Sequence, residues 1–288
     1  ELSKVSSLIK TYRTLESQIT APTRVHGLDE WAAADQALYD RGDHKKPLEA
    51  VPRRFLDALD PKPYQTDISG RSELADDLLS EDNPFTRRVI VNRIWHHLFG
   101  QGIVPTADNF GRMGEKPSHP GLLDFLAVKF SDEFDWSIKK MIRHLVATDA
   151  FQRDSTPGPD VSQKDPDNRL LSHFPVKRLE AEAVRDSLLV ASGNLDPKMF
   201  GEPTSGATSR RSVYVAVIRN RLDPFLSVYD APVPFSATGR RSETNVPAQS
   251  LTMLNNSFVI DAAKKLANDS AGQTDHARIN QMWLRALG

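Results

Sequence analysis

The sequence contains no cysteine. This absence excludes disulfide bonds, thiolate zinc sites, iron–sulfur clusters, thioether-linked haem and cysteine nucleophiles from the 288 residues. It does not identify the cellular compartment, because exported proteins can also lack cysteine. No stretch approaches the roughly 18 apolar residues of a membrane span, so we expect none. The sequence begins at Glu1 without a methionine or a signal-like apolar run, and we expect a trimmed piece whose targeting segment, if any, is missing.

An excess of charge of either sign is also lacking. Lysine and arginine number 37, aspartate and glutamate 38, and the formal net charge is -1. No field over the whole protein therefore attracts nucleic acid or acidic lipid. We expect no nucleic-acid partner, because binding of that kind needs clustered contacts to phosphates.

The motifs of several large enzyme classes are missing. The sequence has no Walker loop, no Gly-x-Gly-x-x-Gly, no Gly-x-Ser-x-Gly and no His-Glu-x-x-His. Paired carboxylates occur only as sequence neighbours such as Asp76 and Asp77, which is weak evidence for glycoside hydrolysis. No catalytic constellation can be assembled from spacing alone, and whether the protein is an enzyme stays open.

What is present is helical periodicity, which predicts a mainly α fold with a small β element and long ordered loops. Asn83 and Pro84 are typical of a helix start, and this helix is predicted to end at Phe99 before Gly100. Two further helices, opened by Ser118-His119-Pro120 and near Ser137, should form a core with it. Helices are also predicted over 1–20, 72–80, 176–192 and 277–287, and as two consecutive segments from Pro247.

Between these helices the sequence predicts irregular segments and one strand. Prolines and glycines indicate an extended arm with one or two short turns of helix over 21–69, and an internal hinge or exposed loop over 156–167. The β-branched run 212–218 is the one credible strand, and its partner is expected around Ile103-Val104.

Polar side chains share one side of the helix that starts at Pro84. Asn92, Arg93, His96 and His97 form a wedge opposite its apolar face. One hypothesis is a ligand or metal site that uses His96 or His97 with a partner such as His119. The alternative is that these groups bridge helices and cap loops. Adjacent histidines point about 100° apart on a helix, so they cannot easily share one metal ion.

A second polar cluster lies on the predicted helix 176–192. Arg178, Glu182, Arg185 and Asp186 are three and four residues apart, a spacing typical of a solvent-facing charge ladder. Arginine outnumbers lysine, however, and guanidinium suits semi-buried pairing with carboxylates. We therefore expect Arg93, Arg178 and Arg185 to belong to interior ion-pair networks.

Two loop groups could bind ions. Arg219 and Arg221 follow the predicted strand, and Arg240 and Arg241 form a second pair. If these loops converge they could hold a carboxylate or sulfate, and otherwise they fix the loops to the helical body. In a separate loop, Asp165 and Asp167 are weak candidates for calcium, and a helix cap or turn is the stronger interpretation.

Ordered motifs across the chain resemble the DUF1553 family, also called the planctomycete PSD1 domain. The resemblance covers residues 68–270. The motifs that carry it are 83–95, Phe110-Gly111, 117–124, 165–170, 178–186, 211–214 and 244–251.

The resemblance implies a C-terminal module of exported planctomycete proteins that often carry a c-type cytochrome domain and a DUF1549 domain. It implies a location in the periplasm or at the cell surface, with neighbouring domains of the same polypeptide as partners. Residues 1–67 resemble the connector before the domain, and residues 68–288 would form a single helical domain. No cofactor is expected in this chain, and haem c could lie only in a separate domain, because Cys-x-x-Cys-His is missing.

Two functional hypotheses follow. The leading one is a scaffold or binding module of a cell-envelope protein, whose partner is another domain or an extracellular glycan. The rival is a carbohydrate-active enzyme. Its pocket would be lined by His96, His97, Arg178, Glu182, Arg240 and Arg241.

Overall fold

The computed structural model describes residues 2–18, 27, 33–235, 237–270, 272 and 274–288. It contains two compact units, one up to Asn83 and one from Pro84 onward. The predicted class is confirmed: helices dominate, and the one sheet among the described residues has two strands. No helix in the described ranges is long and apolar enough to cross a membrane.

The first unit combines helices with a β-hairpin. The predicted first helix is observed, although its positions 1, 19 and 20 lie outside the described residues, as do 21–26 and 28–32 of the predicted arm. The rest of the arm differs from the expectation, because two short strands pair antiparallel with Gln36 opposite Val51. Their exposed, non-alternating sequences gave no strand signal. The elements are α1 (Leu2–Gln18), β1 (Gln36–Tyr39), β2 (Pro47–Val51) and α2 (Arg71–Leu79).

Local contacts order the chain before α2. The hydroxyl of Tyr64 donates a hydrogen bond of 2.7 Å to Oδ2 of Asp77. Burial and the Asp77 carboxylate together raise the pKa of Tyr64 to about 12. Gly70 precedes α2 at a φ of 81°, and a Cβ there would lie 2.9 Å from the Tyr64 ring. This glycine therefore permits both the left-handed backbone and the close ring contact.

The second unit begins with the predicted helical core. Proline occupies the first position of α3 and α4, and the Ser137 hydroxyl caps α5 by accepting from the Lys140 amide. Apolar residues of the three helices pack in one cluster with the segment 103–104. The helices are α3 (Pro84–Phe99), α4 (Pro120–Asp132) and α5 (Ile138–Val146).

A second core consists of five buried residues, Ala181, Val215, Phe225, Leu226 and Val259. A short helix, α6, interrupts the predicted loop 156–167, which is therefore only partly irregular. The C-terminal helices are observed as predicted. The elements are α6 (Pro159–Lys164), α7 (Ala181–Ala191), α8 (Pro224–Val228), α9 (Pro247–Asn255), α10 (Ser257–Asp269) and α11 (Asp275–Leu287).

The predicted strand and its partner are wrong. Ser212–Tyr214 forms a 3-10 turn, and the chain beyond it is extended with a single parallel bridge between Thr204 and Val215. Ile103-Val104 is instead held by a side chain. Asn92, fully buried on α3, donates from Nδ2 to the Val104 carbonyl (3.0 Å) and accepts from its amide (2.8 Å).

The helix predicted over 176–192 starts five residues later, at Ala181. The segment before it is non-helical and its cationic side chains reach other elements. Nζ of Lys177 donates to the His97 carbonyl at 2.6 Å. Arg178 therefore lies outside the helix and does not share a helical face with Glu182 and Arg185. The predicted charge ladder does not extend to Arg178.

Candidate functional site

Several sequence-predicted polar residues of the second unit line one small cleft. His96 and His97 come from the last turn of α3, Arg178 from the segment before α7, and Arg241 from the loop before α9. Glu180, Tyr229, Asp230, Ser242 and Glu243 complete its polar lining. The volume is about 50 Å³, which is room for a few water molecules. We call this cleft the His96 cleft.

The end of α3 positions the two histidines. Gly100 terminates the helix with a φ of 79°, and a Cβ there would lie 3.0 Å from Cγ of Lys177. The Lys177 ammonium binds the His97 carbonyl, one of those that the helix end leaves without an intrahelical partner. Burial lowers the pKa of Lys177, opposed by the nearby carboxylates of Glu180 and Glu243.

The two histidines have different environments. His96 is partly buried, and its Nδ1 atom is enclosed without a hydrogen-bond partner among the described residues. Burial, then the charges of His97 and Arg240, lower the pKa of His96. His97 is mostly exposed, with Nδ1 3.9 Å from Oε1 of Glu180. Because the pKa of His96 is lowered from its ordinary value of 6.5, this side chain is mainly neutral at pH 7.

Arg241 forms the main ion pairs beside the cleft. Its Nη1 lies 2.5 Å from Oε2 of Glu182, and its Nε lies 3.7 Å from Oε1 of Glu180. Burial alone raises the pKa of Glu182, but the hydrogen bond and charge of Arg241 outweigh it, so the net pKa is lowered. Glu182 is therefore ionised and engaged, and it is unsuited to act as a proton donor at neutral pH.

Arg178 enters a network centred on the buried side chain of Gln249. Its Nη2 donates to Oε1 of Gln249 at 2.6 Å, and Nε2 of Gln249 donates to the Val228 carbonyl at 3.0 Å. The hydroxyl of Tyr229 donates to the Gln249 carbonyl at 3.0 Å. Burial raises the pKa of Tyr229, against the charge of Arg178. These bonds join the segment before α7 to α8 and α9.

A family model described as PSD1, a protein of unknown function (DUF1553), matches residues 70–288. The chain belongs to the DUF1553 family. No curated protein and no solved structure matches it. The resemblance inferred from the sequence motifs is confirmed, and the family description assigns no activity to the residues of the His96 cleft.

The DUF1553 domain places the other predicted arginines in separate environments. Arg93 is exposed and, among the described residues, donates only a long bond, 3.4 Å, to the Thr238 carbonyl, so it differs from the expected interior ion pair. Arg178 is likewise exposed and bonded to an amide. Arg219 lies over the Phe235 ring, 5.7 Å from its centroid. Arg240 is exposed and acts on His96 through its charge.

Arg185 is the buried arginine of this domain. It is 1% exposed, and its guanidinium donates to the carbonyls of Gly206, Thr208 and Arg210 and to the Ser212 hydroxyl. Asp186 lies 3.6 Å away and also accepts from the Ser212 amide. Arg185 is therefore interior and paired with Asp186, as the ion-pair hypothesis expected, and its other hydrogen bonds hold the loop before residue 212.

His119 lies in a different and larger cleft, with a volume of about 480 Å³. Its Nδ1 is 3.0 Å from the Ser118 hydroxyl. The polar lining of this cleft, which we call the His119 cleft, includes Glu115, Asp167, Lys177 and Glu243. Among the described residues no group of three or more histidines and carboxylates could hold a metal ion. The hypothesis of a shared His96–His119 metal site is therefore not supported.

The weak calcium candidates differ from each other. Both carboxylate oxygens of Asp165 accept backbone amides, from Arg169 and Leu170, each at 2.8 Å. Asp165 therefore stabilises a turn, as the stronger interpretation predicted. Its hydrogen bonds occupy the two carboxylate oxygens that a cation would need. Asp167 is exposed and lines the His119 cleft.

Sequence reasoning gave no role to Gln249, Asp230 and Thr244. Both oxygens of Asp230 accept from Thr244, through its amide and its hydroxyl at 2.8 Å each. The only sequence signal for Thr244 and Gln249 was their position in the motif 244–251, which contributed to the family resemblance. A polar residue in the first turn of a helix is common, so spacing alone could not show that Gln249 is 4% exposed and central.

Proposed function

We propose that this DUF1553 domain is a non-catalytic scaffold and binding module of an exported cell-envelope protein, whose partners are neighbouring domains of its own polypeptide. The location in the periplasm or at the cell surface rests on the family resemblance alone. Fractionation of cells that naturally produce the chain, followed by immunoblotting, tests it. Recovery with the cytosolic markers would contradict the location.

The observation that carries the scaffold function is the mutual pairing around the His96 cleft. Arg241 binds Glu182, Arg178 binds Gln249, and Lys177 binds the His97 carbonyl. Each contact joins segments distant in sequence. Groups engaged with one another in this way stabilise a structure, whereas a catalytic site presents groups that converge on a vacant space.

The size of the cleft supports the same conclusion. Its 50 Å³ is far below the roughly 300 Å³ at which ligand pockets begin. The rival hypothesis of a carbohydrate-active enzyme would need a sugar ring to enter between His96, Arg178 and Arg241. The cleft volume of about 50 Å³ is too small for a sugar ring in this arrangement.

A panel of chromogenic glycosides and a thermal unfolding experiment together test the proposal. We expect the parent protein to hydrolyse none of the glycosides above background. The variant Arg241→Ala should unfold at lower temperature, and the exposed control Arg240→Ala should not. Hydrolysis by the parent that is lost in Arg241→Ala would overturn the scaffold function.

A second candidate function, binding of an extracellular glycan, is favoured by the His119 cleft. Its volume of about 480 Å³ is in the range of ligand pockets, and its lining mixes carboxylates, a lysine and a histidine that can bond sugar hydroxyls. A glycan array probed with the parent and with Glu115→Gln/Asp167→Asn tests it. We expect binding by the parent that the double variant loses, and an array without signal from the parent contradicts glycan binding.

A further inference from the structure

A groove of about 800 Å³ runs between α7, the end of α11 and the segment 213–217, which is extended beyond Tyr214. Val190 of α7 and Val213 and Val217 of the segment line it and are 57%, 69% and 70% exposed. An apolar pocket of about 280 Å³, lined by Leu222 and Leu226 among others, adjoins the groove along the same segment. We call the two cavities together the Val217 groove.

The extended segment has one bonded edge and one free edge. On the bonded edge, the Thr204 amide donates to the Tyr214 carbonyl and the Ala216 amide donates to the Thr204 carbonyl, both at 2.8 Å. Alternate residues of an extended chain point their backbone groups the opposite way. The Val215 carbonyl and the Val217 amide have no partner among the described residues. Both residues line the Val217 groove.

The charges left unpaired in the groove are positive. Its carboxylates are engaged, Glu180 and Glu182 with Arg241, Asp186 with the Ser212 amide and hydroxyl, and Asp223 with the Leu226 amide. Arg211 and Arg285 also line the groove. Within the part of the chain that the structure describes, neither guanidinium forms a hydrogen bond or an ion pair.

We propose that the Val217 groove binds an extended segment of a partner domain by strand addition at Val215–Val217. The segment carries β-branched residues, which fill the apolar pocket, and alternating carboxylates, which pair with Arg211 and Arg285. The partner's backbone bonds the free Val215 carbonyl and Val217 amide, and its side chains confer specificity. This inference rests on the proposed binding function and names the surface that performs it.

The test uses a fluorescein-labelled peptide, Thr-Val-Glu-Val-Glu-Val-Thr, and measures fluorescence anisotropy with the full chain. We expect saturable binding that weakens about tenfold or more in Arg211→Ala/Arg285→Ala. The matched control Arg112→Ala/Arg143→Ala removes the same charge from exposed sites outside the groove and should bind like the parent. A peptide with lysine in place of glutamate, and one with alternate N-methylated amides, should each bind at least about tenfold more weakly.

Three results would overturn the inference. The first is no saturation by the parent at about 1 mM peptide. The second is equal affinity of the groove variant and its control. The third is a dimer in sedimentation that Arg211→Ala/Arg285→Ala dissociates, because the groove would then hold a second copy of the chain. None of these results alters the glycoside and unfolding experiments, so failure here is distinguishable from failure of the scaffold function.

Discussion

Nη2 of Arg178 lies 2.6 Å from Oε1 of Gln249, 71 residues further along the chain. The amide of Gln249 also binds the Val228 carbonyl, so one buried side chain connects three segments. Arg178 itself is exposed. The strength of this contact therefore depends on Gln249, where burial removes the competition of water.

Replacing Gln249 with leucine should lower the free energy of unfolding by about 1–3 kcal/mol, because the Val228 carbonyl and the Arg178 guanidinium lose their partner at similar side-chain volume. Urea denaturation measures the change. The neighbouring exposed Ser250→Ala is the control and should stay within about 0.5 kcal/mol of the parent. Equal stability of the two variants would show that the network is not needed for folding.

Arg185→Leu should be the most damaging arginine substitution tested, at about 3–5 kcal/mol. The buried guanidinium bonds three carbonyls and a hydroxyl, and the three carbonyls would be left unpaired. Arg93→Ala, on the exposed side of α3, should cost no more than about 0.5 kcal/mol. Thermal and urea unfolding compare the two. A large loss in Arg93→Ala would restore the interior role that the sequence suggested for it.

Gly102→Ala should destabilise the protein by about 1–3 kcal/mol, because the added Cβ would lie 2.5 Å from the Val104 carbonyl oxygen and 2.8 Å from the Asn92 amide. Gly121→Ala in α4 is the matched control. A Cβ there meets nothing within 4 Å, so alanine should stabilise the helix by up to about 1 kcal/mol. Changes of the same sign in the two variants would contradict the close packing at Gly102.

His96 should make stability depend on pH. Its pKa is lowered in the folded state by burial, then by His97 and Arg240, from an ordinary value of 6.5, so the unfolded chain binds more protons just below that value. The contribution of neutral His96 to folding stability is complete above pH 6.5 and is lost as the pH falls below that value. Between about pH 7 and pH 5, His96→Gln should lose less stability than the parent. A His96→Gln curve parallel to that of the parent would contradict the shift.

The helical part of the fold was predictable because its signals are local. The apolar stripes of α3, α4 and α5, the proline starts and the Ser137 cap require only neighbours along the chain. The same is true of the C-terminal helices. The strand predicted over 212–218 failed for the converse reason. β-branched residues form a strand only where a partner is available, and the partner segment 103–104 is held by Asn92.

The candidate site was predictable in part. Sequence placed His96, His97, Arg178 and Arg241 among the candidates, and the structure brings these four to one cleft. The sequence could not show that His119 lies in a different cleft or that Arg93 is exposed. The direction of a side chain on a helix does not indicate which other segments cover it. It also missed Gln249, whose importance comes entirely from residues far away in sequence.

Sequence alone determined the family, the helical class and the absence of cysteine chemistry, because ordered motifs, periodicity and composition are properties of the chain itself. Tertiary structure decided which polar groups are buried, which of them pair, and how much space they leave. These depend on the approach of segments that are distant along the chain, such as those carrying Arg178 and Gln249. Burial then sets the energy of each contact, and no spacing rule contains that information.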